Sequence, residues 1–182
     1  MKKLFLNITP FAAILFLMSC GGPSTENKTR AADTSAAAPS AMMKENNYDP
    51  NKIDPAAPVV EVTLHITGNN MSEMKYDQSE IKVKAGSTVK VTIINQAKDS
   101  SMQHNFVVVD DGTVEKVATE GVKAGADANY IPKMSSVYVG TKVTKPGETI
   151  SITFPTPDKG NYEFVCTYPG HWQKMRGKFI VE

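Results

Sequence analysis

From Val59 onward, apolar and polar residues alternate in short runs separated by turn residues. Val59-Val60-Glu61-Val62-Thr63-Leu64-His65-Ile66 alternates. So do Ile81-Lys82-Val83-Lys84 and Val89-Lys90-Val91-Thr92-Ile93-Ile94, with Ala85-Gly86-Ser87 turning the chain between them. A period of two puts every second side chain on the same face of a strand. Further strands are predicted over Asn105–Val109, from Tyr138-Val139 toward Lys142-Val143, and over Thr149–Phe154, Asn161–Cys166 and Gly177–Val181, with a turn at Pro146-Gly147. About eight short strands at hairpin-like spacing read as an all-β, antiparallel two-sheet sandwich. Asp111–Pro132 breaks the pattern. It is rich in Gly and Ala, with a short helix predicted over Val114–Val122 and loop elsewhere, and reads as an insertion outside the sandwich.

The N-terminus has a different pattern. Lys2-Lys3 precede a largely apolar stretch, Leu4–Met18. That stretch is too short to cross a membrane as a helix and has the layout of a secretory signal. The run Leu17-Met18-Ser19-Cys20-Gly21 resembles a bacterial lipobox. The resemblance implies that residues 1–19 are a lipoprotein signal peptide and that Cys20 carries lipid. The mature chain would then run from Cys20 to Glu182, 163 residues. The uncharged Gly21 is similar to signals for onward transport to an outer membrane. Residues 20–58 therefore read as a lipidated cysteine and a flexible tether. Gly21–Pro58 is rich in Ala, Ser, Thr, Pro, Asn and Lys, and such composition cannot offset the entropy of ordering the chain. The Met42-Met43 pair within it reads as filler rather than a holder of cuprous ion.

Charge adds an exclusion. Residues 59–182 carry fourteen basic and fourteen acidic side chains. Nucleic-acid binding needs a basic face, so that class is set aside. Net charge cannot steer a partner either, so docking is expected on an apolar patch. The two cysteines are Cys20 and Cys166. With Cys20 lipidated, residues 59–182 have no disulfide and must rely on a packed core.

The chemistry concentrates in Cys166-Thr-Tyr-Pro-Gly-His171-Trp-Gln-Lys-Met175, with His104 lying 62 residues upstream of Cys166 in Met-Gln-His-Asn-Phe. Two imidazoles, one thiolate and a weak thioether describe a trigonal copper centre that serves Cu(I) and Cu(II) alike. Cys166 ends an apolar strand, and Pro169-Gly170 turns the chain to present His171. Met175 can then close the loop. The third histidine, His65, lies on an early strand and reads as a structural or exposed side chain.

With these residues the chain resembles azurin and its relatives in the cupredoxin family. The Cys-x4-His-x3-Met spacing, the His104-Asn105 pair, and Thr167, Pro169, Gly170 and Gly177 all match. So do Gly121-Val122, Tyr130–Pro132 and Thr141-Lys142 in the flap and the strand after it. The resemblance covers residues 59–182. It implies a cupredoxin-like Greek-key sandwich with a short helical flap. It also implies one type 1 copper ion held by His104, Cys166, His171 and Met175, with Asn105 supporting the ligands. Azurins carry a glycine before the first ligand, and its carbonyl approaches copper axially. Gln103 stands there instead, as a possible weak axial carbonyl. The disulfide of azurins has no counterpart.

The function so implied is carriage of single electrons outside the cytoplasm, not catalysis. The domain is expected to be monomeric. Redox partners would be a cytochrome c, or a copper or haem reductase or oxidase, with membrane lipid engaged through Cys20. The expected location is the periplasm or cell surface, anchored to a bacterial membrane, the outer one by preference. The alternative is a copper-binding or copper-delivery module. The resemblance also implies that His171 has its ring edge near solvent, within a patch containing Met102 and flanked by Tyr168 and Trp172.

Overall fold

The computed structural model describes Met42–Met43 and residues 53–182. In chain order, β1 is Met42–Met43, β2 Val59–Thr67, β3 Lys75–Tyr76, β4 Glu80–Val83, β5 Thr88–Asn95 and β6 Val107–Asp110. Helix α1 is Val114–Ala124. Then come β7 Val137–Gly140, β8 Thr149–Pro155, β9 Gly160–Val165 and β10 Arg176–Val181. One sheet has the order β1-β7-β6-β9-β10-β4, and the other β3-β2-β5-β8.

The sandwich is mixed rather than wholly antiparallel. β2 runs parallel to β5, and β4 runs parallel to β10. Alternation tells which face a side chain takes but not which way the neighbouring strand runs. The chain changes sheet between β3 and β4 and again between β4 and β5, so the parallel neighbours β2 and β5, and β4 and β10, are far apart in sequence, whereas β9 and β10 are consecutive and antiparallel. The two short strands β1 and β3 were not expected, because two residues show no period. β1 falls within the span read as tether and pairs antiparallel with β7, Met42 opposite Gly140 and Met43 opposite Val139.

Burial follows the alternation. In β5, Val89, Val91 and Ile93 are buried, while Lys90, Thr92 and Ile94 are half-buried. They meet Leu64, Ile66, Ile152 and Phe154 from their own sheet and Phe106, Val108, Val139, Phe164 and Phe179 from the opposite one. Full burial of side chains of this size contributes about 1.5–3 kcal/mol each.

β6 and β7 depart from simple alternation, because both of their faces are covered. Their second face carries Val107, Val109 and Val137, joined by Val165 of β9. Above them lie Val114 and Val117 of α1 and Ile131 of the flap. The helix forms because Val114, Val117, Ala118 and Gly121 recur at helical spacing, making one buried stripe. Gly121 must be a glycine, since a Cβ there would strike the Tyr130 carbonyl. The insertion is thus a helical flap on the outer face of the larger sheet, at the end where the sequence motifs gather.

Candidate metal centre

His104 precedes β6 and is held by an isolated bridge to Thr144. Its N–H donates to the Thr144 carbonyl at 3.1 Å, and its own carbonyl accepts from Thr144 N at 2.6 Å and Thr144 Oγ1 at 2.9 Å. Cys166 directly follows β9. The next residues form a closed loop. Gly170 takes a positive φ of 83°, a conformation that favours glycine. His171 N donates to the Tyr168 carbonyl at 3.1 Å, and Met175 N to the His171 carbonyl at 3.0 Å. Cys166 N donates to the Met175 carbonyl at 2.9 Å, which brings both ends of the loop together.

Two strands and this loop bring His104, Cys166 and His171 to one point. The two Nδ1 atoms are 3.0 Å apart, and each lies 3.8 Å from Cys166 Sγ. A point equidistant from all three lies about 2.1 Å from each, within the range of first-row metal bonds to imidazole nitrogen and thiolate sulfur. The donor set therefore fits a single small ion. His104, Cys166 and Met175 are 0 % exposed and His171 is 2 %. Among the described residues this is the one cluster of His, Cys and carboxylate groups that suits a metal and is also buried.

Burial sets the proton state. It pushes the His104 imidazole down to about 3, with His171 adding to the shift, and His171 itself down to about 4. Both rings are neutral at pH 7 and can offer lone pairs. Burial also pushes the Cys166 thiol up to about 12, opposed by the backbone N–H groups of Asn105 and Tyr168 donating to its sulfur. A metal must displace that proton to gain the thiolate. His104 Nε2 is buried without a hydrogen-bond partner. That ring is oriented by packing and by its Nδ1 side.

Asn105 locks the two halves of the site together. Its Oδ1 accepts from Thr167 N, and its Nδ2 donates to Thr167 Oγ1 and to the Asn129 carbonyl, all at 2.8 Å. The segment bearing His104 is thereby tied to the residue after Cys166 and to the flap. Asn129 has a positive φ of 50°, which asparagine tolerates well, and its Oδ1 accepts from Val143 N at 2.9 Å. Sequence reading missed Asn129 and Thr144, and gave Thr141 only as a match in the strand after the flap. Only Asn129 carried a signal, as an asparagine in a turn-rich stretch. The threonines matter through tertiary hydrogen bonds.

The surroundings differ from expectation in three places. Met102 is 4 % exposed and belongs to the core, so it is not part of an exposed patch. Its segment is turned inward by Asn95 Nδ2, which donates to the Met102 carbonyl at 2.9 Å. His171 is more enclosed than a ring edge at solvent, with Tyr168 against it at 4.8 Å between ring centroids. Gly170, Gln173 and Lys174 of this loop are exposed, as is Met71, whose side chain lies beside Gly170. Trp172 is half-buried and packs back onto the flap-side valines, with Arg176 5.9 Å from its ring centroid. Gln103 is half-buried, its N–H donating to the Ser101 carbonyl at 2.9 Å. His65 lies outside the cluster and pairs with Asp77 at 2.8 Å.

Residues 60–182 match the family described as copper binding proteins, plastocyanin/azurin family. Auracyanin-A of Chloroflexus aurantiacus is 36 % identical over 123 residues, covering 66 % of this chain and 74 % of that protein. Azurin of Pseudomonas fluorescens biotype C is 31 % identical over 124 residues, covering 64 % and 97 %. A solved structure of auracyanin A, described as a "blue" copper protein, superposes with a TM-score of 0.61 at 32 % identity, covering 68 % of this chain and 99 % of that one. The buried His-Cys-His cluster lies inside the matched region, so the chain belongs to the plastocyanin/azurin family of copper-binding proteins and is a blue copper electron-transfer protein.

Proposed function

We propose that His104 Nδ1, His171 Nδ1 and Cys166 Sγ would hold one copper ion, with the Met175 thioether as a weaker donor. The Gln103 carbonyl would be a further weak donor. The observation that carries this reading is the convergence of two neutral Nδ1 atoms and one sulfur to within 3.8 Å of one another in a buried site. Copper bound there supplies a Cu(I)/Cu(II) couple that takes up and releases one electron. The residues do the rest. Asn105 and the closed loop keep the donors in one arrangement, so little movement accompanies the change of charge. The dry core excludes water from the sulfur. Near-complete burial of the donors favours retention of the metal and hence carriage over delivery. It also leaves no approach for a substrate, in keeping with a carrier rather than an enzyme.

The test is to add cupric ion to the purified protein and record the visible spectrum. An intense thiolate-to-copper band at roughly 600 nm is expected. It should vanish and return through cycles of reduction and oxidation without loss of metal. A metal-loaded sample with no such band would refute the ligand set, and loss of cuprous ion at each reduction would favour a delivery module.

The setting of the copper domain is part of the same proposal. Residues 1–19 act as a signal peptide, Cys20 carries acyl chains, and residues 20–58 tether domain 59–182 to a bacterial membrane, on the periplasmic or outer face. More than one acyl chain gives stable attachment, and tethering raises the effective concentration of partners such as a cytochrome c or a terminal reductase or oxidase. Cys20 lies outside the described residues, and the support is its lipobox-like context. Cells expressing the chain and a Cys20→Ser form should separate on fractionation, the first with membranes and the second soluble. A native protein that is soluble with an unmodified Cys20 would refute the anchor and leave the copper site untouched.

A further inference from the structure

Tyr76 lies on β3 in the smaller sheet, yet its phenol crosses the sandwich and donates to the Asn105 carbonyl at 2.6 Å. The residue is 7 % exposed. Its ring meets Phe164 edge-on at 5.4 Å, and Phe164 stacks on Phe106 at 5.6 Å. The two-residue strand is pinned at its base. Tyr76 pairs with Ile66, and Asp77 N donates to the His65 carbonyl at 2.9 Å. The Asp77 carboxylate accepts from His65 N at 2.9 Å and lies 2.8 Å from His65 Nδ1. The phenol is thus a strut with a fixed foot.

Its far end bears on the sulfur. Asn105 supplies a backbone N–H to Cys166 Sγ. The preceding carbonyl, of His104, is clamped by Thr144. The following peptide is held at Phe106 N by Thr141 Oγ1, at 3.0 Å, and at the Asn105 oxygen by Tyr76. Without the phenol that oxygen loses its side-chain donor, and Thr141 Oγ1 is left as the side-chain partner of the Asn105–Phe106 peptide.

We propose that Tyr76 is a positioning residue for the metal centre, which fixes the Asn105 backbone so that its N–H stays on Cys166 Sγ and holds the reduction potential up. This rests on copper ligation by His104, Cys166 and His171. The sign follows from charge. A hydrogen bond to sulfur stabilises negative charge there, and that charge is less compensated when copper is Cu(I). Weakening the bond disfavours the reduced state.

Tyr76→Phe keeps the ring and removes only the hydroxyl. With a one-electron reference couple, its equilibrium should shift toward Cu(II) by about threefold to tenfold, or roughly 30–60 mV at 59 mV per tenfold. Its charge-transfer band should move to lower energy. Tyr138→Phe is the control, because it removes a phenol bond of 3.0 Å to the Pro155 carbonyl. It should lower the urea midpoint without moving the potential or the band. If Tyr76→Phe behaves like this control, Tyr76 is structural only and the proposal is overturned. If the unaltered protein loads copper without a blue band, the ligand set fails first and this role with it. If Tyr76→Phe does not load copper, the unaltered Cu(I) protein decides: a slowly exchanging Tyr76 hydroxyl proton close to Phe106 is expected by NMR, and its absence overturns the proposal.

Discussion

Replacing Asn105 with alanine probes how the two halves of the site are joined. The side chain is fully buried and makes three hydrogen bonds of 2.8 Å, to Thr167 N, Thr167 Oγ1 and the Asn129 carbonyl. Its loss orphans the Thr167 N–H, and Thr167 is itself only 1 % exposed. A buried donor left unpaired costs about 1–3 kcal/mol, and each of the other two bonds contributes about 1 kcal/mol net. The expected loss is therefore roughly 3–5 kcal/mol, a large part of the 5–15 kcal/mol typical of a domain. With a urea slope of about 2 kcal/mol per molar, the midpoint should fall by about 2 M. Urea titration of the copper-free protein measures this directly. Thr167→Val removes only the hydroxyl bond, so it should cost about 1 kcal/mol, and nearly nothing when added to Asn105→Ala. An Asn105→Ala loss below about 1 kcal/mol, or full additivity of the two changes, would refute the bridge.

Three further outcomes follow from the same geometry. His104 and His171 titrate lower in the folded, copper-free protein than in the unfolded chain, so their contribution is complete above about pH 6.5 and is lost as pH falls toward 4 and then 3. Between pH 4.5 and 6 the slope should approach roughly 2.7 kcal/mol per pH unit for two protons, and urea midpoints that stay flat over that range would contradict it. The raised Cys166 thiol has the opposite sign, its contribution being complete below pH 9 and lost as pH rises toward 12. Copper binding at pH 7 should release about one proton per ion, from Cys166, into a weakly buffered indicator solution, and no release would mean that the thiol is already ionised. Met102→Lys should destabilise the domain by several kcal/mol, because it puts an ammonium in the core rather than on a docking face; an unchanged urea midpoint would show that Met102 is free to leave the core.

The main strands and the loop residues were legible in the sequence for physical reasons. Strand alternation is a local consequence of which side chains must be buried, so β2, β4, β5, β8 and β10 could be read from it. The Cys166–Met175 spacing is likewise local, because a nine-residue loop with a glycine turn can return only a short distance. β1 and β3 were not legible, since two residues carry no period, and the parallel pairings were not, since alternation carries no direction. The doubly covered strands β6 and β7 give continuous burial that local patterning does not explain until α1 is seen above them.

The sequence by itself determined the donor types and hence the metal class, because thiolate, imidazole and thioether are properties of residues rather than of a fold. Only the tertiary structure decided how His104 meets a cysteine 62 positions away, with both Nδ1 atoms 3.8 Å from its sulfur. It alone removed Met102 from the surface, turned Trp172 back toward the flap, and stretched Tyr76 across the sandwich to the Asn105 carbonyl. Each of these depends on which elements pack against which. Long-range packing is settled by the summed burial of the whole core, and no window of neighbouring residues contains it.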